Sequence, residues 1–352
     1  MRGLHRAHHA AFSNTNSMRL LKRRSHQSIR VPARLALAVA VAAVIARAQA
    51  QDWPSHPLTM VAPFAAGGST DAIARIIADG LSAQLHQTVI VENVGGAGGM
   101  LGANRVAKAA PDGYQLVLGN VGTHAQNQWL YKKPLYNALT DFAPVTLIVD
   151  QSLVLVARKD FPANNLQQFI AYAKGNQTSL RYGSSGAGGS NHLACVLLNS
   201  AIGVDVSHIP YRGGAQAMQD LLAGQVDYQC PSLPTAMPQI AGHTVKALAI
   251  LSKRRSSSMP ELPSAHEQGL TDFDIPSWYA LFLPRATPDE IVRKLHDATS
   301  AAMDMPLIQE RLRQVGSDLV EPSRRSPEYL ARFIVSEIRK WEGPIKASGV
   351  QF

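Results

Sequence analysis

The chain has 352 residues, of which 46% are apolar and 17% charged, which is typical of a globular protein with room for two ordinary domains. Its formal net charge is +9, but residues 1–50 hold nine of the 34 Lys and Arg side chains and no acidic one. The remaining residues therefore carry 25 basic and 25 acidic side chains. This balance argues against a nucleic acid partner.

The first 50 residues have the pattern of a secretory signal peptide. A basic stretch runs into the eleven apolar residues Leu35–Ile45, and Ala48-Gln49-Ala50 fits an A-x-A cleavage site. Eleven residues are too few for a membrane span, which needs roughly 20. We therefore expect export to the periplasm and cleavage near Ala50. Whether translation starts at Met1 or Met18 stays open.

Two cysteines, Cys195 and Cys230, lie in the exported part, where a disulfide is permitted. Cys195 falls among apolar residues of a predicted helix and Cys230 follows a predicted strand. Free cysteines are often buried as small apolar side chains. Two buried thiols are therefore the expected state, with a disulfide as the alternative.

Strands and helices alternate through the exported part, which predicts an α/β protein with mostly parallel sheets. The apolar strand "LTMVAPF" comes first. It leads through glycines into "DAIARIIADGLSAQL", whose isoleucines and leucines share one helical face. The order strand, glycine loop, helix occurs again at residues 182–202 and 207–222.

Two lobes follow from this organisation, with the chain crossing between them twice. The apolar segments that start at Ser152 and Ser277 are the candidate crossing strands. The first lobe is predicted at 51–151 and 276–352 and the second at 152–275. The last three predicted helices then return to the first lobe.

The glycine loops predict anion binding by the backbone. The segments "AAGGSTD" and "YGSSGAGGSNH" each end a strand and enter a helix, whose first N–H groups and dipole favour a carboxylate or phosphate. Neither loop contains the lysine that a P-loop uses to reach outer phosphates. The two loops together predict a small acid held by N–H groups and hydroxyls.

Other chemistries have weaker support. Residues 96–102, "GAGGMLG", space their glycines one position too far for a dinucleotide fingerprint. His124, His192 and His208 are scattered singly, so no metal site is predicted. "GSSGA" at Gly183 misses the G-x-S-x-G nucleophile motif because Ala187 replaces its second glycine. An exported hydrolase or transferase remains the alternative hypothesis.

Several motifs in order resemble the substrate-binding receptors of tripartite tricarboxylate transporters, the Bug family. They are "PFAAGGSTDAIAR", "ENVGGAGGMLGANRVAKAAPDGYQLVLG", "YGSSGAGGSNHLA", "IPYRGGAQAMQDLLAGQVD", "HEQGL" and the segment beginning "WYALFLP". The resemblance covers about Trp53 to Phe352. Gln216 departs from the proline common there, and Cys195 and Cys230 occupy positions usually filled by other residues.

The resemblance implies a two-lobed periplasmic-binding-protein-like fold of type II and no enzymatic activity. It implies a monomer without cofactor that binds a small organic acid or amino acid and delivers it to a membrane permease. The ligand-binding residues it implies are Phe64, Gly67, Gly68, Ser69, Thr70, Asp71, Thr123, Ser184, Ser185, Gly188, Ser190, His192, Tyr211, Gly213 and Gly214.

Two charged residues near these loops have other expected roles. Asp71 would repel an anionic ligand. Capping of the following helix explains the presence of this residue at least as well as ligand contact does. Arg212 is expected to be a solvated loop cation. The identity of the ligand cannot be derived from the sequence.

Overall fold

The structure, a computed structural model, describes residues 53–352. The expected signal peptide and its cleavage site lie outside the described residues. Two sheets flanked by helices form two lobes, as the α/β, two-lobed prediction requires.

The first lobe contains a six-stranded sheet in the order β11-β4-β10-β3-β1-β2. Its strands are β1 (Leu58–Ala62), β2 (Val89–Asn93), β3 (Gln115–Asn120), β4 (Phe142–Gln151), β10 (Ser277–Pro284) and β11 (Ser317–Leu319). The second lobe contains a five-stranded sheet in the order β7-β6-β8-β5-β9. Its strands are β5 (Val154–Arg158), β6 (Arg181–Ser184), β7 (Ser207–Pro210), β8 (Tyr228–Gln229) and β9 (Val245–Ile250).

Ten α-helices occur in the described part of the chain. In chain order they are α1 (Ser69–Leu85), α2 (Met100–Ala107), α3 (Asn127–Leu130), α4 (Leu166–Asn176), α5 (Ser190–Ile202), α6 (Gly214–Leu222), α7 (Leu233–Ala241), α8 (Asp289–Asp304), α9 (Pro306–Gln314) and α10 (Pro327–Ser348). A short π-helical turn, Gly122–Gln126, precedes α3. The last three helices pack on the first lobe, where α8 and α10 contact β4 and α9 contacts α1.

Most strands of each sheet run in one direction, as expected, and antiparallel strands make both sheets mixed. In the first lobe β1 pairs parallel with β2 and β3, whereas β10 pairs antiparallel with β3 and β4. In the second lobe β5 is antiparallel to both neighbours. Two of the reversed strands, β5 and β10, follow the two crossings, where the chain enters the sheet from the other lobe rather than through a crossover helix. The third, β11, is an edge strand antiparallel to β4.

The two connections between the lobes differ in length. β4 ends at Gln151 and β5 begins at Val154, so only two residues join the sheets there. The return runs from Ile250 to Ser277. Pro231 O accepts from Val154 N–H at 2.9 Å, and Ser152 O accepts from Leu233 N–H at 3.1 Å. The joining residues are thereby fixed against the start of α7.

The cysteines form a disulfide, so the expectation of two buried thiols is wrong. Cys195 lies in the second turn of α5 and Cys230 directly after β8, with their Cα atoms 5.5 Å apart. Helix α5 packs on β8, where the Tyr228 hydroxyl donates to Asn199 Oδ1 at 2.7 Å. This packing brings two cysteines that are 35 positions apart into bonding distance, which the sequence spacing alone does not reveal.

Candidate functional site

A small cavity of about 30 Å³ lies between the two lobes. Residues of both lobes line it: Phe64, Gly68, Ser69, Thr70, Asn120, Ser185, Ser190, Asn191, Gly214, Pro231, Ser232, Thr235 and Tyr279. All of these side chains are uncharged. Hydroxyl and amide groups dominate the lining, with the Phe64 ring as its main apolar surface. The cavity therefore offers hydrogen bonds from neutral groups.

On the first-lobe side the cavity begins at the N-terminus of α1. Gly68 is the N-cap residue, and within the described chain no side chain caps this helix. The Ser69 hydroxyl lies 2.9 Å from the hydroxyl of Tyr279, which also accepts from Thr70 Oγ1 at 3.4 Å. Tyr279 belongs to β10, so the central sheet of the lobe orients both hydroxyls of this helix end.

On the second-lobe side three helices begin at the cavity. Helices α5 and α6 follow Gly189 and Gly213, and neither has a side-chain cap within residues 53–352. Their first N–H groups have no acceptor inside their own helix. Helix α7 differs, because Leu233 N–H donates to Ser152 O and Thr235 N–H to Ser232 O. It therefore presents the hydroxyls of Ser232 and Thr235 rather than amides.

The N-termini of α1 and α6 face each other across the cleft. A Cβ atom placed on Gly68 would lie 3.7 Å from Gly214 N and 3.9 Å from Ala215 N. Ser69 N–H also donates across the cleft to Thr235 Oγ1 at 3.1 Å. Each helix N-terminus carries roughly half a positive charge, so two ends this close favour an anion between them.

About half of the sequence-predicted ligand residues line this cavity. They are Phe64, Gly68, Ser69, Thr70, Ser185, Ser190 and Gly214. The others lie in the same loops but outside the lining: Gly67, Asp71, Thr123, Ser184, Gly188, His192, Tyr211 and Gly213. The two loops that were expected to act together do meet at one cavity.

Asp71 stabilises the start of α1 in this structure. Its Oδ2 atom accepts from Gly67 N–H at 3.0 Å, and its Oδ1 atom lies 2.9 Å from the Arg75 guanidinium. Burial acts to raise the pKa of Asp71, but the hydrogen bonds from Arg75 and Gly67 outweigh it and hold the pKa below its usual value. The carboxylate is therefore ionised and engaged within its own lobe.

Thr123 shapes the neighbouring turn instead of lining the cavity. Its hydroxyl accepts from Asn120 N–H at 3.0 Å, and its own N–H donates to Asn120 Oδ1 at 3.0 Å. This pair of bonds holds Asn120 at the end of β3, where it lines the cavity. The ring of His124 stacks on Phe282 at 3.8 Å, and burial lowers the pKa of His124 to about 3.

Ser184 and His208 have the separation of a nucleophile and its base, since Ser184 Oγ lies 2.6 Å from His208 Nε2. Ser184 is fully buried, however, and it does not line the cavity. Burial lowers the pKa of His208 to about 4, which makes it a weak base at neutral pH. The arrangement gives no support to the hydrolase alternative.

Tyr211 and His192 lie behind the loops rather than on the cavity. The Tyr211 hydroxyl donates to Asp220 Oδ2 at 2.5 Å, and burial together with this carboxylate raises the pKa of Tyr211 to about 12. His192 is buried in the first turn of α5, with its ring 4.1 Å from that of His208. Burial, helped by His208, lowers the pKa of His192 to about 3.

Six lining residues were missed by the sequence reasoning: Asn120, Asn191, Pro231, Ser232, Thr235 and Tyr279. The sequence did contain a signal for three of them, Pro231, Ser232 and Thr235. "CPSLPT" follows a strand and starts a helix behind Ser232, the same order as in the glycine loops but without glycine. Tyr279 lies in the apolar strand β10, where the sequence gives no sign that it faces a site.

Two features are absent from residues 53–352, a metal-binding cluster and a membrane-spanning helix. No group of three or more His, Cys, Asp or Glu side chains there is arranged to hold a metal ion. No helix among the same residues has the length and apolar character needed to cross a membrane.

Comparisons with known proteins agree with this geometry. The profile of the tripartite tricarboxylate transporter family receptors, TctC, matches residues 73–350. The periplasmic binding protein BugD is 38% identical with a TM-score of 0.82, over 85% of this chain and 99% of that one.

Two proteins of Rhodopseudomonas palustris are similar in structure as well. MatC, solved with bound malate, is 39% identical with a TM-score of 0.81, over 83% of this chain and 100% of its own. A second protein, solved with adipate, is 32% identical with a TM-score of 0.81, over 85% and 99%. With an uncharged, hydroxyl-lined cleft and a profile match over most of its length, the chain belongs to the tripartite tricarboxylate transporter receptor family of solute-binding proteins.

Proposed function

We propose that this protein is a periplasmic receptor that captures a small carboxylated metabolite between its lobes and delivers it to a membrane permease of the tripartite tricarboxylate type. The observation that carries the proposal is the meeting of three helix N-termini without side-chain caps, those of α1, α5 and α6, at one uncharged cavity. Their N–H groups supply the donors, and Thr70, Ser190 and Asn191 add polar side chains.

Such donors are sufficient to hold a carboxylate. Each hydrogen bond to a charged group contributes on the order of 1.5 to 3 kcal/mol, and a helix dipole about 0.3 to 1 kcal/mol. A buried cationic side chain would carry a desolvation cost of several kcal/mol. A receptor that releases its ligand to a transporter can therefore use neutral donors.

The ligand class is supported by the two relatives solved with malate and adipate, which are both dicarboxylic acids. Amino acids remain in the class, because their carboxylate presents the same group to the helix ends.

The proposal also covers the first residue of the mature chain, the boundaries of the lobes and the oligomeric state. The mature chain starts within a residue or two of Gln51, the lobes are bounded at 151 and 276, and the receptor acts as a monomer. An intact mass of material secreted to the periplasm tests the first of these. A mass that includes residues 35–50 would contradict cleavage.

Ligand is proposed to close the lobes, since residues on both sides of the cleft form the cavity. Small-angle scattering of the mature protein should show compaction at saturating ligand. Equal radii of gyration with and without ligand would instead indicate a preformed site.

A thermal-shift screen of mono-, di- and tricarboxylates and amino acids tests the function. A ligand at 100 times its Kd stabilises the folded protein by about 2.7 kcal/mol. The bound acid should be recovered unchanged at one per chain, whereas a hydrolase or transferase would convert it. A screen in which no carboxylate raises the melting temperature would contradict the proposal.

A further inference from the structure

Tyr131 of the first lobe makes a direct hydrogen bond to the second lobe. Its hydroxyl donates to Ala187 O at 2.8 Å. Its ring also covers the next residue, since a Cβ atom on Gly188 would lie 2.7 Å from ring atom Cε2. Tyr131 directly follows α3 and lines no part of the cavity.

Gly98, also of the first lobe, contacts the same turn. A Cβ atom on Gly98 would lie 2.5 Å from Ala187 O and 2.7 Å from Gly188 C, closer than a real side chain can approach backbone. Gly98 has φ +60° and Gly188 has φ +82°, conformations that side chains disfavour. These two glycines allow one backbone to lie directly on the other.

Asn127 joins the two first-lobe contacts. Its Nδ2 atom donates to Gly98 O at 3.3 Å, and its Oδ1 atom would lie 2.9 Å from a Cβ on Gly188. Gly98, Asn127 and Tyr131 thus form one surface of the first lobe. Turn 186–189 of the second lobe lies against that surface.

The same turn connects two cavity residues. Ser185 precedes it, Ser190 and Asn191 follow it, and Ser185 Oγ donates to Asn191 Oδ1 at 2.7 Å. Gly189 N–H donates to Gly186 O at 3.0 Å, which keeps the turn compact. A contact that fixes 186–189 therefore fixes the hydroxyl and amide side chains on the second-lobe side of the cavity.

We propose that Gly98, Tyr131 and turn 186–189 form a clasp that holds the lobes together and positions Ser185, Ser190 and Asn191 for the ligand. The proposal rests on the proposed ligand-binding function, but the clasp acts without touching the ligand. Apparent affinity is the affinity of the closed state multiplied by its population. Loosening the clasp lowers that population and speeds ligand release.

The test uses two variants of the mature protein, Tyr131→Phe and Gly98→Ala. Tyr131→Phe keeps the ring and removes the hydroxyl, and Gly98→Ala inserts a methyl group where backbone lies. The matched controls are Tyr172→Phe and Gly175→Ala, both on α4, where a Cβ on Gly175 meets nothing within 4 Å. Spin labels on cysteines introduced at the exposed residues Lys108 and Lys159 report the separation of the lobes.

Two readouts are expected to change together. The labels should move to longer distances in both variants and keep the wild-type distances in both controls. The dissociation rate of L-malate or adipate, whichever binds the wild type, should rise about fivefold in Tyr131→Phe, as for the loss of one ordinary hydrogen bond. Gly98→Ala should raise it more, because backbone atoms must separate.

The melting temperature of each ligand-free variant distinguishes a clasp from a purely stabilising contact. Loss of a purely stabilising contact would lower the melting temperature and leave the label distances unchanged. Wild-type label distances and dissociation rates in both variants would overturn the proposal. If neither acid binds the wild type, malate and adipate are not its ligands, and the label distances of the ligand-free protein still decide whether the clasp exists.

Discussion

Three helices that begin at the cleft, α1, α5 and α6, differ from α4 and α10, which begin elsewhere on the same lobes. The cleft helices α1, α5 and α6 follow Gly68, Gly189 and Gly213, which have no side chain to cap them; only Ser69 N–H of α1 has a side-chain acceptor, Thr235 Oγ1 across the cleft. Away from the cleft, Asn165 caps α4 by accepting from Gln168 N–H, and Ser326 caps α10 by accepting from Tyr329 N–H.

The difference concerns where the acceptor for a helix N-terminus comes from. A capping side chain stabilises its helix by about 1 kcal/mol and occupies donors that a ligand would otherwise use. Glycine at the N-cap leaves those donors accessible. Helices α4 and α10 use backbone N–H donors at their N-termini for their own capping, whereas the cleft helices leave such donors available to a ligand. An anion at the cavity would supply the missing acceptor.

The largest expected effect comes from blocking the cleft ends. Gly68→Val should abolish carboxylate binding while the protein stays folded, because its methyl groups extend toward the amides of Gly214 and Ala215. Loss of two charge-assisted hydrogen bonds costs about 3 to 6 kcal/mol, or more than ~100-fold in affinity. Isothermal titration with the best ligand from the screen measures it.

Two controls sharpen this prediction. Gly68→Ala should retain most of the binding, since a Cβ there makes only ordinary contacts of 3.7 Å or more. Gly175→Val places the same side chain in open space on the capped helix α4 and should bind normally. Wild-type affinity in Gly68→Val would mean that these helix ends do not hold the ligand.

Acid should act on the cleft helix α5 before it acts on the capped helix α4. His192 occupies the first turn of α5, and burial lowers its pKa to about 3 and that of His208 to about 4. An unfolded histidine titrates near 6.5, so the unfolded state takes up protons first as the pH falls. Stability is fully present above about pH 6.5 and is lost progressively between there and pH 4.

Thermal unfolding as a function of pH measures this loss. His192 alone should lower the free energy of unfolding by about 3 kcal/mol at pH 4. Amide exchange should show α5 losing protection at a higher pH than α4. A melting temperature that stays constant from pH 7 to pH 4 would be inconsistent with neutral, buried histidines under this helix.

Ser190→Ala should weaken ligand binding by about 1 to 3 kcal/mol, which is the cost of leaving a buried polar partner unpaired. Ser190 is 7% exposed at the start of α5 and lines the cavity. The stability of the ligand-free protein should change little, because this hydroxyl caps no helix. Titration calorimetry and thermal unfolding are measured on the same preparation.

Ser326→Ala is the reciprocal change at the capped end of α10 and has the smallest expected effect. It should lower the free energy of unfolding by about 1 kcal/mol and leave ligand affinity unchanged. Chemical denaturation gives the first value and titration the second. Ser190→Ala and Ser326→Ala could instead behave alike, with both losing only stability or both losing only affinity. Either result would contradict the difference between the two classes of helix N-terminus.

Sequence reasoning identified the two lobes and both glycine loops because strand, turn and helix occur there in a periodic apolar pattern. Local turn chemistry also predicted Gly68 and Ser190, and the family resemblance implied Phe64; all three line the cavity. The directions of β5 and β10 were not predictable in this way, because strand direction depends on how the chain crosses between lobes. That is a property of the whole fold.

Residues brought to the cavity from a distance were missed for the same reason. Tyr279 lies in an apolar strand, and its hydroxyl becomes relevant only because β10 pairs beside β3 and points it at Ser69 and Thr70. Thr123 and Asn120 show the converse. Asn120 ends β3 and Thr123 lies in the turn that follows, and only the turn geometry decides which of them faces the cavity.

A crystal structure with a bound carboxylate tests the central claim most directly. The account predicts that the carboxylate accepts from backbone N–H groups at the starts of α1, α5 or α6 and from hydroxyls such as those of Thr70 and Ser190. It predicts no lysine ammonium or arginine guanidinium in contact with that carboxylate. A carboxylate held by such a cationic side chain, or bound away from these helix ends, would contradict the account.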